Sequence, residues 1–156
     1  MNKQQYWLFK TEPSEYSYDD LVNNKSGGRW DGVRNYQARN YLRDSIKVGD
    51  FVLIYHSSIK VPAIHGVGKV KREAYPDPTQ FDSNSPYYDA GSKKTSPRWT
   101  SLDIVAVKTL EKEVSLLEMR ANPKLKDMVL LKKGSRLSIQ PVTLQEFNEI
   151  CLMAKR

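Results

Sequence analysis

Cysteine is nearly absent. Cys151 stands alone in 156 residues, so no internal disulfide can form and no thiol cluster is available for zinc. Histidine is as scarce: His56 and His65 are the only two, and separated as they are they make no metal site, so neither a metal nor a cofactor is expected. Long apolar runs are missing as well. "FVLIY", Phe51 to Tyr55, is among the longest, far short of the roughly 20 residues of a membrane-spanning helix, and "MNKQQYW" lacks the apolar core of a secretory signal. A cytoplasmic protein with no membrane partner is expected. Catalytic signatures are equally thin. "GVGKV", Gly66 to Val70, lacks the spacing of a phosphate-cradling nucleotide loop and sits in a strand-like stretch. No G-x-S-x-G elbow accompanies His56, Ser57 and Ser58. A nucleophile next in sequence to its base is also poorly placed on a strand, where successive side chains point oppositely.

What is abundant is positive charge. Against 18 Asp and Glu stand 25 Lys and Arg, giving +7 and a pI near 9.4, the range of nucleic-acid-binding domains. Polyanions are the favoured partners, although solvated lysines also serve solubility alone.

Ordinary globular composition and the chain length predict one domain over 1–156. "YWLFK", Tyr6 to Lys10, has the density of a strand, stopped near Pro13 because proline cannot donate to a ladder. Ser17 with Asp19 and Asp20 opens a short helix that "NNKSGG" ends. Asn35 caps a second helix, with Ala38, Tyr41 and Leu42 on one face and Arg39 and Arg43 following Asn35 at four-residue spacing on another. Phe51 to Tyr55, Val61 to Tyr75 and Ser101 to Leu110 read as strands, and Gly66 and Gly68 mark a bulge or sharp bend. Between the last two runs a long connection, Pro76 to Trp99, is rich in Pro, Ser, Asp and Tyr; such loops are usually functional or mobile. Capping boxes at Ser115/Glu118 and Thr143/Glu146 start two further helices. The last of these, from Thr143 to about Ala154, is expected to bury Leu144, Phe147, Ile150 and Cys151. Strands broken by short helices, without regular βαβ alternation, predict an α+β fold around a small, strongly curved sheet.

The segment "WDGVRNYQARNYLR", Trp30 to Arg43, concentrates flat rings and fixed cations. Aromatic platforms hold bases by stacking, at about 1–3 kcal/mol each, and arginines neutralise phosphates or stack as planes. Trp30 follows "SGGR" and precedes "DG", a loop setting unlike the apolar surroundings of Trp7, Tyr41 and Phe51. Arg34, Asn35 and Arg39 lie beside it and Tyr36, and Trp99 follows Arg98 and the pair Lys93 and Lys94.

Six stretches together resemble an EVE domain: "YWLFKTEPSEYSYDDL", "WDGVRNYQARN", "GDFVLIYHSS", "GVGKV", "PRWTSLDI" and "SRLSIQPVTLQEF". They run in order over nearly the whole chain, with mild departures such as Thr11 where Ser is frequent. The resemblance implies a PUA-like fold, a mixed pseudo-barrel with short flanking helices. It also implies a non-catalytic module that flips a modified base of DNA or RNA into an aromatic and polar pocket. Carried over by motif, the pocket residues are Lys10, Thr11, Trp30, Val33, Arg34, Asn35, Tyr55, His56, Ser57, Trp99 and Ser138. Phosphate contacts are expected from Arg34, Arg39, Arg43, Lys93, Lys94 and Arg98. One methyl group on the base gains only about 0.8 kcal/mol on burial, less than the roughly 1.4 kcal/mol of tenfold selectivity. Sharp discrimination therefore needs a hydrogen bond or steric exclusion, for which Asn35, His56 and Ser57 are candidates. Two other readings stand beside this one: a nucleic-acid-processing enzyme with His56 as acid or base, and a protein-interaction module whose charge is incidental.

Overall fold

The computed structural model describes residues 3–155; the ends of the expected 1–156 domain lie outside them. Six strands form one mixed sheet: β1 Tyr6–Thr11, β2 Gly28–Trp30, β3 Phe51–His56, β4 Ala63–Pro76, β5 Thr100–Ser115 and β6 Ile139–Val142, in the order β2-β5-β4-β3-β1-β6. β1 runs parallel to β3 and antiparallel to β6, and the remaining neighbours are antiparallel. The sheet is strongly curved. β5, β4 and β3 lie between β2 and β1, yet the rings of Trp30 and Phe9 meet at 5.3 Å.

Strand alternation sorts the apolar residues into two cores, one per face. Trp7, Phe9, Val52 and Ile54 join one, whereas Leu8, Leu53 and Tyr55 join the other. The long β4 and β5 serve both: Val70, Leu102 and Ile104 belong to the first core, Ile64, Val67, Leu110 and Val114 to the second. The crossing is made where the β4 register shifts, between Ile64 and Gly66 and between Val67 and Gly68. Gly66 is required there because a Cβ would fall within 2.4 Å of the Tyr18 ring. The expected bulge is thus a place where helix packs on bare backbone.

Among the described residues four short α-helices flank the sheet: α1 Tyr18–Asn23, α2 Tyr36–Asn40, α3 Leu116–Arg120 and α4 Leu144–Met153. α1, α3 and α4 each begin in a reciprocal capping box, through Ser17/Asp20, Ser115/Glu118 and Thr143/Glu146. α2 is capped by Asn35, whose side chain accepts the Ala38 N–H at 3.0 Å. It then widens into a π turn, Tyr41–Ser45, closed by Ile46 N–H to the Tyr41 carbonyl. The face of α4 departs from expectation. Leu144 is 45% exposed while Glu146, Glu149, Ile150 and Met153 are buried. Ile150 and Phe147 still pack on the second core, while Glu146 accepts the Thr143 N–H of its capping box and Glu149 accepts from Asn122 Nδ2 at 2.7 Å. No helix among the described residues is long and apolar enough to cross a membrane.

Candidate functional site

Curvature brings the C-terminal end of β1 beside the β2 edge, and the two frame a partly open cavity of about 860 Å³, within the ~300–1,000 Å³ of small-ligand sites. Lys10 and Thr11 enter from β1, Trp30 through Asn35 from β2 and the following turn, Ser57 from beyond β3, and Ser138 from the approach to β6. The strand ends are tied to each other. Thr11 O accepts the Ser57 N–H at 2.9 Å, Thr11 Oγ1 donates to Tyr16 O at 2.7 Å, and Lys10 N–H donates to Ser138 O at 2.8 Å.

Trp30 is 7% exposed. Phe9 packs on it at 5.3 Å and Tyr16 meets it edge-on at 6.0 Å, so the indole is a fixed wall with only a strip facing the cavity. Tyr87, from the long connection after β4, supplies a second ring. Its approach depends on Gly32, which has φ +79° and where a Cβ would stand 2.8 Å from the Tyr87 ring. Burial, and then the negative charge of Glu15, push the Tyr87 phenol up, and the neutral hydroxyl donates to Glu15 Oε2 at 3.2 Å.

Arg34 holds this ring in place. Its Nε and Nη2 donate to Tyr87 O at 3.1 and 2.7 Å, Nη1 donates to Val33 O and to Asp77 Oδ2, both at 3.0 Å, and Nη2 also reaches Thr79 Oγ1 at 3.0 Å. Asp77 is fully buried. Burial alone would raise its carboxyl, but hydrogen bonds from Thr79, the Gly32 N–H and Arg34 outweigh it and hold the carboxyl below the usual range. Behind the guanidinium the stack continues. Arg34 lies 5.3 Å from the Trp99 ring, Trp99 stacks on Tyr36 at 4.9 Å, and Arg39 sits 4.8 Å over Tyr36. Each charged or aromatic plane thus supports the next, ending at the cavity wall.

The polar lining carries charges of both signs. Lys10, Arg29, Arg34 and Arg136 face Glu12, Glu15 and Asp31. Arg29 is held by Asp31 at 2.8 Å, and Arg34 is spent on Asp77 and the Tyr87 carbonyl. Carboxylate oxygens are natural acceptors for the exocyclic amine of a base, and Asn35, whose Oδ1 caps α2, keeps its amide N–H groups for a carbonyl or ring nitrogen.

Eight residues named from the sequence therefore line one cavity: Lys10, Thr11, Trp30, Val33, Arg34, Asn35, Ser57 and Ser138. Tyr55, His56 and Trp99 do not. Tyr55 points to the opposite face of the sheet, into the second core. His56 is buried beside α1: its Nε2 accepts the Tyr18 N–H at 3.0 Å, and its ring stacks on His65 at 4.0 Å. Burial, with repulsion from His65, lowers its pKa to about 4. A neutral imidazole with its acceptor occupied, outside the cavity, is a structural group rather than an acid or base for this site. Trp99 donates Nε1–H to Asp89 at 2.8 Å and backs Arg34.

The expected phosphate contacts also rearrange. Of Arg34, Arg39, Arg43, Lys93, Lys94 and Arg98, only Arg34 lines the cavity. Arg43 pairs with Asp44 at 2.8 Å, Arg98 with Asp89 at 3.4 Å, and Arg39 donates to the Arg98 carbonyl at 2.7 Å. Lys94 rests over the Phe81 ring at 5.9 Å, and Lys93 forms an isolated bridge with Ser96. Tyr87, Glu15 and Arg136 were not foreseen as lining residues. For Tyr87 the signal was the tyrosine-rich composition of the long connection, which pointed to the loop without selecting the residue.

The EVE domain family matches residues 5–153. Human thymocyte nuclear protein 1 is 39% identical over 173 residues, spanning 99% of this chain and 76% of that protein. Among solved structures, a Pseudomonas syringae protein is 43% identical with a TM-score of 0.91, covering 96% of this chain and 99% of that one. The human THYN1 protein in complex with 5-methylcytosine-containing DNA is 38% identical with a TM-score of 0.91, covering 98% and 99%. A YTH domain from Zygosaccharomyces rouxii, 12% identical with a TM-score of 0.56 over 99% of this chain and 88% of that one, shares the fold. The architecture is the α+β, PUA-like one, and this chain belongs to the EVE domain family.

Proposed function

We propose that the chain reads a modified nucleobase in DNA or RNA, receiving it unstacked in the cavity of Trp30 and Tyr87 and carrying out no chemistry on it. The observation that carries this reading is the convergence there of two rigid aromatic walls with carboxylate, amide and hydroxyl groups at strand ends. A human relative of the same fold binds DNA containing 5-methylcytosine, which supports the assignment. Extruding a base costs a few kcal/mol, whereas one stacking face such as Tyr87 returns about 1–3 kcal/mol and Trp30 adds only its exposed strip, so single-stranded or mispaired targets are favoured. Glu12, Glu15 and Asp31 suit bases that carry an exocyclic amine, cytosine or adenine. A methyl group alone contributes about fourfold at most; stronger preference rests on hydrogen bonds from Asn35 and Ser57.

Catalysis has no group to carry it on His56, which is neutral, occupied and outside the cavity. The expected cytoplasmic location belongs to the same proposal; the vertebrate relatives are named as nuclear proteins. The test is titration of short single-stranded and duplex oligonucleotides with and without methylated cytosine or adenine. Preference for one modified strand is expected, weakened about 5- to 150-fold by Tyr87→Ala, the loss of one stacking wall. Binding indifferent both to modification and to Tyr87→Ala overturns the reading.

A further inference from the structure

On the opposite face of the sheet, at the same end of β1, lies a smaller cavity of about 430 Å³. Its charged lining is Lys10, Arg120, Lys132 and Lys133, and among the described residues no Asp or Glu faces it. Lys10 lines both cavities. The segment 132–138 rounds the end of β1 between them: Lys132 through Ser135 border the smaller cavity, Arg136 and Ser138 the larger. The turn is written into "KKGS". Ser135 N–H closes on the Lys132 carbonyl at 3.2 Å, and Gly134 takes φ +76°, the left-handed third position of a tight turn, which leaves Lys132 and Lys133 exposed at its tip.

The cations here differ in one respect from three of the expected phosphate contacts. Among the described residues, none of Lys10, Arg120, Lys132, Lys133 and Arg136 is in an ion pair, whereas Arg34, Arg43 and Arg98 each hold a carboxylate; Arg39, in α2, holds none and donates instead to Asn40 Oδ1 and the Arg98 carbonyl. A paired arginine must give up its carboxylate before it neutralises a phosphate; an unpaired lysine only sheds counterions as it does so. Burial lowers the Lys10 pKa and desolvates its ammonium group, which strengthens its attraction for an anion at the ridge between the cavities.

We propose that the turn at Lys132 and Lys133, with Arg120 and Lys10, is a phosphodiester-binding groove that takes the nucleic-acid backbone next to the base held on the other face. This rests on the base-reading assignment for the location of the strand, but the contact itself is independent of sequence and of modification. The face formed by Arg39 of α2 and Arg43 of the π turn is then a structural element and not the backbone grip.

The experiment is anisotropy titration of a labelled, unmodified single-stranded oligodeoxynucleotide between 50 and 200 mM salt, with the double variant Lys132→Gln/Lys133→Gln and the control Arg39→Gln/Arg43→Gln. Losing two single-strand phosphate contacts lowers the slope of log K against log salt by about 1.4. That fall is expected in the turn variant and not in the control. The turn variant's preference for a modified over an unmodified strand stays at the wild-type ratio. An oligonucleotide with methylphosphonate linkages should lower the slope of the wild-type protein at least as far, and the turn variant should add nothing to that fall. A slope unchanged in the turn variant, a fall confined to the α2 control, or a wild-type slope that neutral linkages leave intact overturns the proposal. Because the slope is read on an unmodified strand, it is scored even if modification preference is absent. Both lysines are exposed, and Arg120→Gln, also on an exposed residue, repeats the test with an expected fall of about 0.7.

Discussion

Two cavities share the end of one strand and differ in nearly everything else. The larger has aromatic walls, charges of both signs and side chains locked by one another; the smaller sets four cations among apolar residues, and a glycine turn borders it. Rigidity is concentrated where a planar ligand needs pre-formed walls, because stacking and directional hydrogen bonds lose value quickly when their groups must first be ordered. Charge is left free where a backbone needs only attraction. The sheet supplies both by alternation: Thr11 faces one side, and Lys10, at the strand end, reaches the ridge between the two.

Trp30→Ala should break the contrast most severely. The indole is a core residue as well as a wall, and its removal is expected to cost about 3–5 kcal/mol of stability by chemical denaturation. Trp30→Phe keeps most of the packing and isolates the effect on base binding. Asp77→Ala acts on the same wall from behind. It strips the carboxylate from Arg34 and frees the Tyr87 loop, costing about 3 kcal/mol, the low end for a broken buried pair because Arg34 keeps its bonds to the Tyr87 carbonyl. Because Asp77 does not line the smaller cavity, the salt slope of the folded variant is expected to stay at the wild-type value.

His56 sharpens the comparison by lying in neither cavity. Its folded pKa, about 4, is below the unfolded value near 6.5, so between these the unfolded chain binds a proton that the folded chain refuses. Its contribution is full above pH 6.5 and is lost as pH falls toward 4, by up to about 3 kcal/mol. His65 and Asp19 set the local field, while the depressed carboxyls of Asp77, Asp89 and Glu118 act at lower pH. A stability profile that is flat from pH 6.5 to 4.5, or as steep in His56→Gln as in wild type, contradicts this assignment. Base preference at pH 7.5 should be the same in His56→Gln, since the imidazole touches no part of either cavity.

The sequence carried the capping boxes, the bulge glycines, the curved sheet and the segment Trp30 to Asn35, because each is a local rule or a contiguous motif. It misplaced what depends on distant partners. Tyr55, His56 and Ser57 form one consecutive motif, yet strand alternation sends Tyr55 to the far face and the N-terminus of α1 captures His56. Asp44 and Asp89 claim the arginines that spacing alone had offered to phosphate. Glu149 is buried with Asn122, twenty-seven residues away, as its donor, while the apolar Leu144 is exposed. Tyr87 stands where the Arg34 and Asp77 hydrogen bonds place it, a constraint that no short window of sequence contains.

The central claim is that the base occupies the cavity of Trp30 and Tyr87. Backbone amide shifts of the labelled protein on addition of a single-stranded oligonucleotide carrying 5-methylcytosine, compared with the same strand unmethylated, test it most directly. The difference between the two titrations is predicted to centre on Thr11, Trp30 to Asn35, Ser57, Tyr87 and Ser138. Differences confined to Tyr36 to Arg43 or to the Lys132 turn, with the cavity residues unmoved, would contradict it.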